Sequence, residues 1–515
     1  MKNNCIYLFA LLALLPVIVF RDYTPGNELR YLSIADEALR NGTFFAFTNQ
    51  GIPYADKPPL YFWLIMLSKS LLGKHAMWLL SFFSLLPAWV VVRTMNRWAD
   101  GEIYKEFHPT ATWMMLTCGL FLGAALFLRP DMLMCMFIIL SLYTFYRMLK
   151  GEGDQRLNAW LFPVYIFLGI FSKGPVALLI PLLSTFFFLL LTNRVRSFGR
   201  YWGWKTWGVL LGGCLLWFGC VYMEGGIDYL DNLLFHQTVD RAVNAFHHRE
   251  PFYYYAVTIW YSLLPWSLLI IGVIATALWR RHFHSELQKF FLTVLVVTFV
   301  VLSCVSSKIE IYLLPVYPFF VYLTAMQLSR FRWNRWLAMS VALPAMAFCL
   351  SVPVLVCLGG QKSTCFLADN FLYAAAGVLT LSGANALYDL YYWKSLSKSV
   401  HAMAFGIFCA IFVGGFALSK LNDQWGYGNL CREAMQVANK HAVSCYCTYE
   451  VHRAENMDVF LQKDVRRVMR EELLSGTLHG VVVILPLKEL ATLRKIVPEK
   501  EIHIVGDYGF ALLPH

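Results

Sequence analysis

Charge is scarce in this chain. Asp, Glu, Lys and Arg make up 15% of its 515 residues, where a soluble domain carries about a quarter. That scarcity excludes an ordinary soluble enzyme. No internal repeat and no low-complexity linker breaks the sequence, which argues against a repeat array. The 13 cysteines show no zinc-ligand spacing. Many sit inside apolar runs, as Cys118, Cys135, Cys214 and Cys220 do, where they serve as small hydrophobes. Cys431, Cys445 and Cys447 leave a disulfide open near the C-terminus. The run Cys5–Phe20 follows one lysine and has no small-residue cleavage site after it. It reads as a signal-anchor helix. No acidic triad stands at ligand spacing, so no cofactor is expected, with a divalent metal left open.

What the chain does have is apolar surface. Hydrophobic residues reach 58% and aromatic ones 16%, with a mean hydropathy of +0.54. This is the composition of a polytopic α-helical membrane protein, with Trp and Tyr for its interfaces. The net charge is +11. From Lys420 onward 12 basic residues balance 12 acidic ones, so the excess lies in 1–419. Cations at membrane edges explain that distribution better than nucleic-acid binding does.

Thirteen apolar runs of helical length fall at 5–20, 76–95, 109–128, 131–149, 159–171, 174–191, 206–223, 255–279, 289–305, 311–328, 336–358, 371–392 and 401–419. Alternate connections are rich in cations: Arg93, Arg97 and Lys105; Arg147, Lys150 and Arg156; Arg194, Arg196, Arg200 and Lys205; Arg280, Arg281 and Lys289; Arg330, Arg332 and Arg335; Lys394 and Lys398. The positive-inside rule assigns these to the cytoplasm. The alternation holds if Pro58–Leu72, with Tyr61, Phe62, Trp63, Ser68, Lys69 and Ser70, is an interfacial helix rather than a span. A long outer loop then covers 21–75. The expected fold is about 13 transmembrane helices over 1–419, followed by a small extracytoplasmic α/β domain over 420–515. In that domain "HAVSCYCTYE" and "GVVVILP" predict strands, and "MDVFLQKDVRRVMREELLSG" predicts a helix ending at Gly476.

The stretch "TPGNELRYLSIADEAL" opens the outer loop. Pro25-Gly26 predicts a turn, Asn27 an N-cap, and Asn41-Gly42 a stop. Leu29, Leu32, Ala35, Ala38 and Leu39 give residues 28–40 a partly apolar face, as in a short amphipathic helix on the outer membrane surface. Glu28 favours the positive end of such a helix. Four solitary cations then stand at outer membrane boundaries: Lys57 in "YADKPPLYFW", Arg129 in "FLRPDMLM", Lys173 in "FSKGPVALL" and Lys308 in "VSSKIEIYLLP". Each is costly there unless paired or snorkelling. Together they suit an anion reached from outside, such as a lipid phosphate. Asp56 and Asp131 are either their salt-bridge partners or holders of a hydroxylated ligand.

In this order the segments "PGNELRYLSIADEAL", "YADKPPLYFWL", "FLRPDMLM", "FSKGPVALLIPLL" and "SSKIEIYLLPVYP" resemble the lipid A aminoarabinose transferases and the wider protein O-mannosyltransferase-like superfamily. The resemblance covers most of 1–330 by motif. It implies a multi-pass glycosyltransferase of the bacterial inner membrane, active toward the periplasm and using a polyprenyl-phosphate sugar as donor. By that resemblance Arg30, Tyr31, Lys57 and Tyr312 bind the donor phosphate, with Lys173, Lys308 and Arg241 as further candidates. Tyr54, Arg129 and Asp131 are candidates for holding the sugar. The loop 224–250 lies near the acceptor, and its His236, His247 and His248 read as ordinary interfacial residues. The family's first loop carries an acidic pair before x-Arg-Tyr. Here the pair is Asn27-Glu28, so the first acid is missing.

A hydroxyl acceptor needs a general base, for which Glu28 and Asp56 are candidates. Asn27 cannot titrate and is left as a cap or a sugar-binding amide. A phosphate acceptor, as on lipid A, is already ionised and hardly needs a base. The expected function is transfer of a sugar, for example aminoarabinose, from undecaprenyl phosphate to lipid A or another envelope acceptor. Two alternatives stand beside it: transfer to protein hydroxyls, and translocation of a lipid-linked saccharide without chemistry.

Overall fold

The structure is a computed structural model that describes residues 3–235, 249–331, 333–475, 477–495 and 497–513. It is mainly helical. Each of the thirteen apolar runs is occupied by one helix or by two or three in succession. Among the described residues, seven helices are long and apolar enough to cross a membrane, or nine if each of two bent pairs counts as one span. Asn4–Phe20, Leu60–Leu72, Val176–Leu191 and Ser267–Trp279 are shorter apolar helices. The bent pairs are His108–Leu116 with Gly119–Leu126, at 61°, and Arg335–Cys349 with Ser351–Gly359, at 40°. At the first bend the Gly119 amide donates to the Leu264 carbonyl at 2.8 Å. A Cβ on Gly119 would stand 3.2 Å from that same oxygen, a tight contact that glycine avoids.

The helix Leu60–Leu72 spans 13 residues, about 20 Å, short of a bilayer core of about 30 Å. This length fits the interfacial role expected for it.

The chain divides into two compact units. The first contains Met1–Leu15, Ala55–Tyr61 and Ser81–Val413. Its interior is apolar and aromatic. Trp98, from Met77–Trp98, packs against Phe290 and Phe291 of Glu286–Cys304 and against Phe319 of Tyr317–Leu328. Some of the polar groups held there are paired. Asn96 donates to the Tyr7 hydroxyl at 2.7 Å and accepts from the Tyr322 hydroxyl at 2.9 Å, as burial in a membrane bundle demands.

The second unit contains Pro16–Tyr54, Phe62–Leu80 and Gly414–His515. A hairpin joins β1 (Thr48–Asn49) to β2 (Ile52–Pro53). Gln50 and Gly51 both take left-handed backbone (φ 54° and 75°), the requirement of a tight two-residue hairpin turn. Nearer the C-terminus lie β3 (Cys445–Thr448), β4 (Val465–Arg467), β5 (Val481–Pro486), β6 (His503–Val505) and β7 (Tyr508–Leu513), in the sheet order β4-β3-β5-β7-β6. β3 runs parallel to β4 and β5, and β7 is antiparallel to β5 and β6. β5 is central and buried along most of its length, which explains its unbroken apolar sequence. Val481, Val483 and Leu485 of β5 share a core with Cys447, Leu473 and Leu493. Cys431, Cys445 and Cys447 are free thiols.

The helix expected through Met457–Gly476 is corrected by the structure. Asp458–Leu461 forms one helical turn, Gln462 takes left-handed backbone, and β4 then pairs with β3 before a second short helix at Arg470–Leu474. Gly476 lies outside the described residues. Strand pairing overrides the good helix formers of this stretch.

The helix expected at 28–40 is present as Glu28–Asn41 and ends at Gly42 with φ 71°, the left-handed stop that glycine supplies. Two expectations for it need correcting. It is not half-exposed on a surface: Glu28, Leu29 and every residue from Tyr31 to Ala38 are buried. Nor does Asn27 cap it. Asn27 has helical backbone and makes no side-chain cap bond, because its Oδ1 accepts from Arg30 Nη2 at 2.9 Å instead.

Candidate functional site

The two units each gather charged side chains, and the first gathers cations. Asp131 opens the helix Asp131–Lys150, where the helix dipole favours a carboxylate. Lys173 closes the helix Gln155–Lys173, where the dipole favours a cation. Gly174 follows with φ 123° and turns the chain away. Lys173 Nζ pairs with Asp131 Oδ1, and Arg129 Nε reaches Asp131 Oδ2 at 3.2 Å. Lys57 pairs with Asp56 at 2.9 Å and lies within electrostatic reach of both Asp131 and Lys173. The Lys173 ammonium sits 4.4 Å from the centre of the Tyr312 ring, a cation–π distance.

Among the described residues, Lys57, Arg129 and Lys173 thus gather near Asp56 and Asp131, and Asp131 is only 1% exposed, in poorly screening surroundings. Lys308 is engaged differently. Its ammonium donates to the Glu250 carbonyl at 2.9 Å and is 3% exposed, holding 249–250 beside 306–308. Glu310, next to the "KIEIYLLP" tyrosine, accepts from the hydroxyls of Tyr254 and Tyr261 at 2.7 and 2.8 Å. Arg241, His236, His247 and His248 lie outside the described residues.

In the second unit all three acids of the opening stretch hold structure. Glu28 is 1% exposed and accepts two bonds from Arg21, at 2.6 and 2.9 Å, and further bonds from Thr24 N and Oγ1, at 2.8 and 3.0 Å. Asp36 pairs with Lys69 at 2.6 Å and His75 at 2.7 Å. Burial acts to raise the Asp36 carboxyl, but the His75 bond and the charges of His75 and Lys69 hold it below the usual range. Glu37 binds the hairpin turn through the amides of Gln50, at 2.6 Å, and Gly51, at 2.9 Å. Arg30 bonds Asn27 and lies 5.8 Å from the Tyr31 ring centre and 5.2 Å from that of Tyr54.

Sequence reasoning missed Arg21, Asp458 and Arg453. Arg21 ends an apolar run seven residues before Glu28, which is a usable signal. Asp458 is more than 400 residues from its partners and had none. Its Oδ2 accepts from Ser33 Oγ at 3.0 Å and Gln50 Nε2 at 3.1 Å. Burial, with the nearby charge of Asp36, pushes its carboxyl up to about 6. The folded state therefore binds this proton more tightly than the unfolded chain, whose value is 3.8. The associated stability is full below pH 3.8 and is lost as pH rises through about 6. The difference amounts to about 3 kcal/mol. Asp458→Asn is expected to raise the unfolding midpoint at pH 7 and to remove this dependence between pH 4 and 6. Unfolding scans across that range check it, and an unchanged pH profile would contradict it.

Among the described residues, no group of three or more His, Cys, Asp or Glu side chains gathers as a metal site would.

The family described as dolichyl-phosphate-mannose-protein mannosyltransferase matches residues 56–218, the segment that carries Lys57, Arg129, Asp131 and Lys173. An uncharacterized protein of Aquifex aeolicus is 28% identical over 61% of this chain and 63% of its own length. The undecaprenyl phosphate-alpha-4-amino-4-deoxy-L-arabinose arabinosyl transferase 2 of Pseudomonas fluorescens is 27% identical over 60% of this chain and 52% of its own. The chain thus spans between half and two thirds of these relatives. The crystal structure of ArnT from Cupriavidus metallidurans bound to undecaprenyl phosphate superposes with a TM-score of 0.76, at 17% identity, over 99% of this chain and 98% of that one.

The chain thus matches that family model over part of its length, and over nearly all of it shares the fold of the ArnT structure. Its apolar helices and this shared fold make it a multi-pass membrane protein.

Proposed function

We propose that the chain moves a sugar from a polyprenyl phosphate to a phosphorylated envelope lipid such as lipid A, at the outer face of the inner membrane. The observation that carries this reading is the cluster of Lys57, Arg129 and Lys173 around Asp131, with Tyr312 against Lys173. In the transfer, an acceptor oxygen bonds to the anomeric carbon as the bond from that carbon to the donor phosphate breaks. The electron pair leaves on the phosphate. Lysine and arginine placed beforehand stabilise that charge as it develops.

A specific observation favours a phosphate acceptor over a hydroxyl. The acids of the opening helix are committed to Arg21, to Lys69 and His75, and to the hairpin turn. The Glu28 oxygens already accept from Arg21 and Thr24, which occupies the lone pairs that would take an acceptor's proton. An ionised phosphate needs no base. An amino sugar such as aminoarabinose is the sugar carried by the curated relatives' donors, and it is the first donor to supply.

Mass spectra of lipid A and of envelope glycoproteins, from cells with and without this protein, test the reading. The expected difference is one sugar residue lost from lipid A phosphates. Loss of a protein-bound glycan with lipid A unchanged would overturn the lipid acceptor.

A further inference from the structure

The second unit holds a pair of arginines whose bonds go to neutral acceptors. Arg30 Nη2 donates to the Asn27 side chain at 2.9 Å. Arg453 Nη1 donates to the Gly26 carbonyl at 2.6 Å. The two guanidinium groups thus hold adjacent residues of one turn, although they stand 423 positions apart in sequence. Among the described residues neither has a carboxylate within ion-pair distance: Glu28 is taken by Arg21, and Glu455 by Arg467. The Arg30 Nε is buried and has no hydrogen-bond partner, which is costly for a charged group. Burial, and then the charge of Arg30, lowers the Arg453 guanidinium below its usual range. Arg453 also adopts left-handed backbone, φ 51°, a conformation that favours Gly or Asn over arginine. Two repelling cations, one on strained backbone and the other with a buried N–H unused, are arranged at a cost that a bound anion would offset.

We propose that Arg30 and Arg453 form one anion clasp across the Gly26-Asn27 turn, taking a phosphate group of a lipid-linked substrate between their guanidinium forks. The clasp rests on the transferase reading and extends it to a residue of the C-terminal segment. Arginine suits this work because its planar fork matches two phosphate oxygens at once. The phosphate comes either from the polyprenyl donor or from the acceptor lipid, and binding measurements separate the two.

Native mass spectrometry of the purified full chain, titrated with undecaprenyl phosphate and separately with diphosphoryl lipid A, tests the clasp. Arg453→Asn suits the left-handed backbone and removes the charge. Arg453→Lys keeps the charge and loses the fork. Both are expected to weaken one of the two lipids about tenfold to a hundredfold, Asn more than Lys, with unfolding midpoints near wild type. Weakening confined to undecaprenyl phosphate assigns the clasp to the donor, and weakening confined to lipid A assigns it to the acceptor. Unchanged binding of both lipids by both variants overturns the clasp and leaves the transferase reading standing. A wild-type chain that binds neither lipid overturns both.

Discussion

Lys57→Ala is expected to slow sugar transfer about 10²–10³-fold, the usual cost of removing one preorganised group that stabilises developing charge. The unfolding midpoint should move little. Lys57 and its partner Asp56 keep 17% and 15% side-chain exposure, so the pair is not sealed from water. The effect should fall on kcat as well as on donor KM, because the leaving phosphate carries more charge in the transition state than in the ground state. Lys57→Arg restores the charge without the compact ammonium and should recover part of the rate. Transfer by the alanine variant within twofold of wild type would remove Lys57 from the site.

Glu28→Gln should act in the opposite way. Its carboxylate is buried and bound twice by Arg21, with Thr24 completing the shell. The amide removes the charge that Arg21, at 11% exposure, binds twice, and breaking such a pair costs about 3–5 kcal/mol. The variant should therefore unfold at a clearly lower midpoint, yet transfer sugar at a near wild-type rate per folded molecule. A general base would give the reverse: an unchanged midpoint and a lost kcat. The two readouts together decide between the roles.

How far the sequence reveals these features depends on range. The apolar helices were legible because a run of apolar residues is a local property, and so were the strands over 441–450 and 480–486, whose core composition is local too. The segment 457–476 was not, because β4 exists only by pairing with β3. The site divides along the same line. Lys57, Arg129 and Lys173 each stood out as a cation at a membrane edge. That Arg129 and Lys173 both meet Asp131 is a tertiary fact that joins two helix ends. Asn27 was misjudged as a cap because Arg30, one turn on, takes its amide. Glu28 reads as a candidate base from the sequence, where nothing ties it to Arg21 beside it. Asp458 and Arg453 reach the opening helix from the far end of the chain, and no local pattern marks them.

The most direct test is the reaction itself. Purified protein in detergent, given a polyprenyl-phosphate sugar and diphosphoryl lipid A, should yield lipid A heavier by one sugar residue. Free polyprenyl phosphate should appear in equal amount, and Lys57→Ala should abolish most of the product. Donor and lipid A recovered unchanged, with every polyprenyl-phosphate sugar supplied, would contradict the account and leave the cations to translocation.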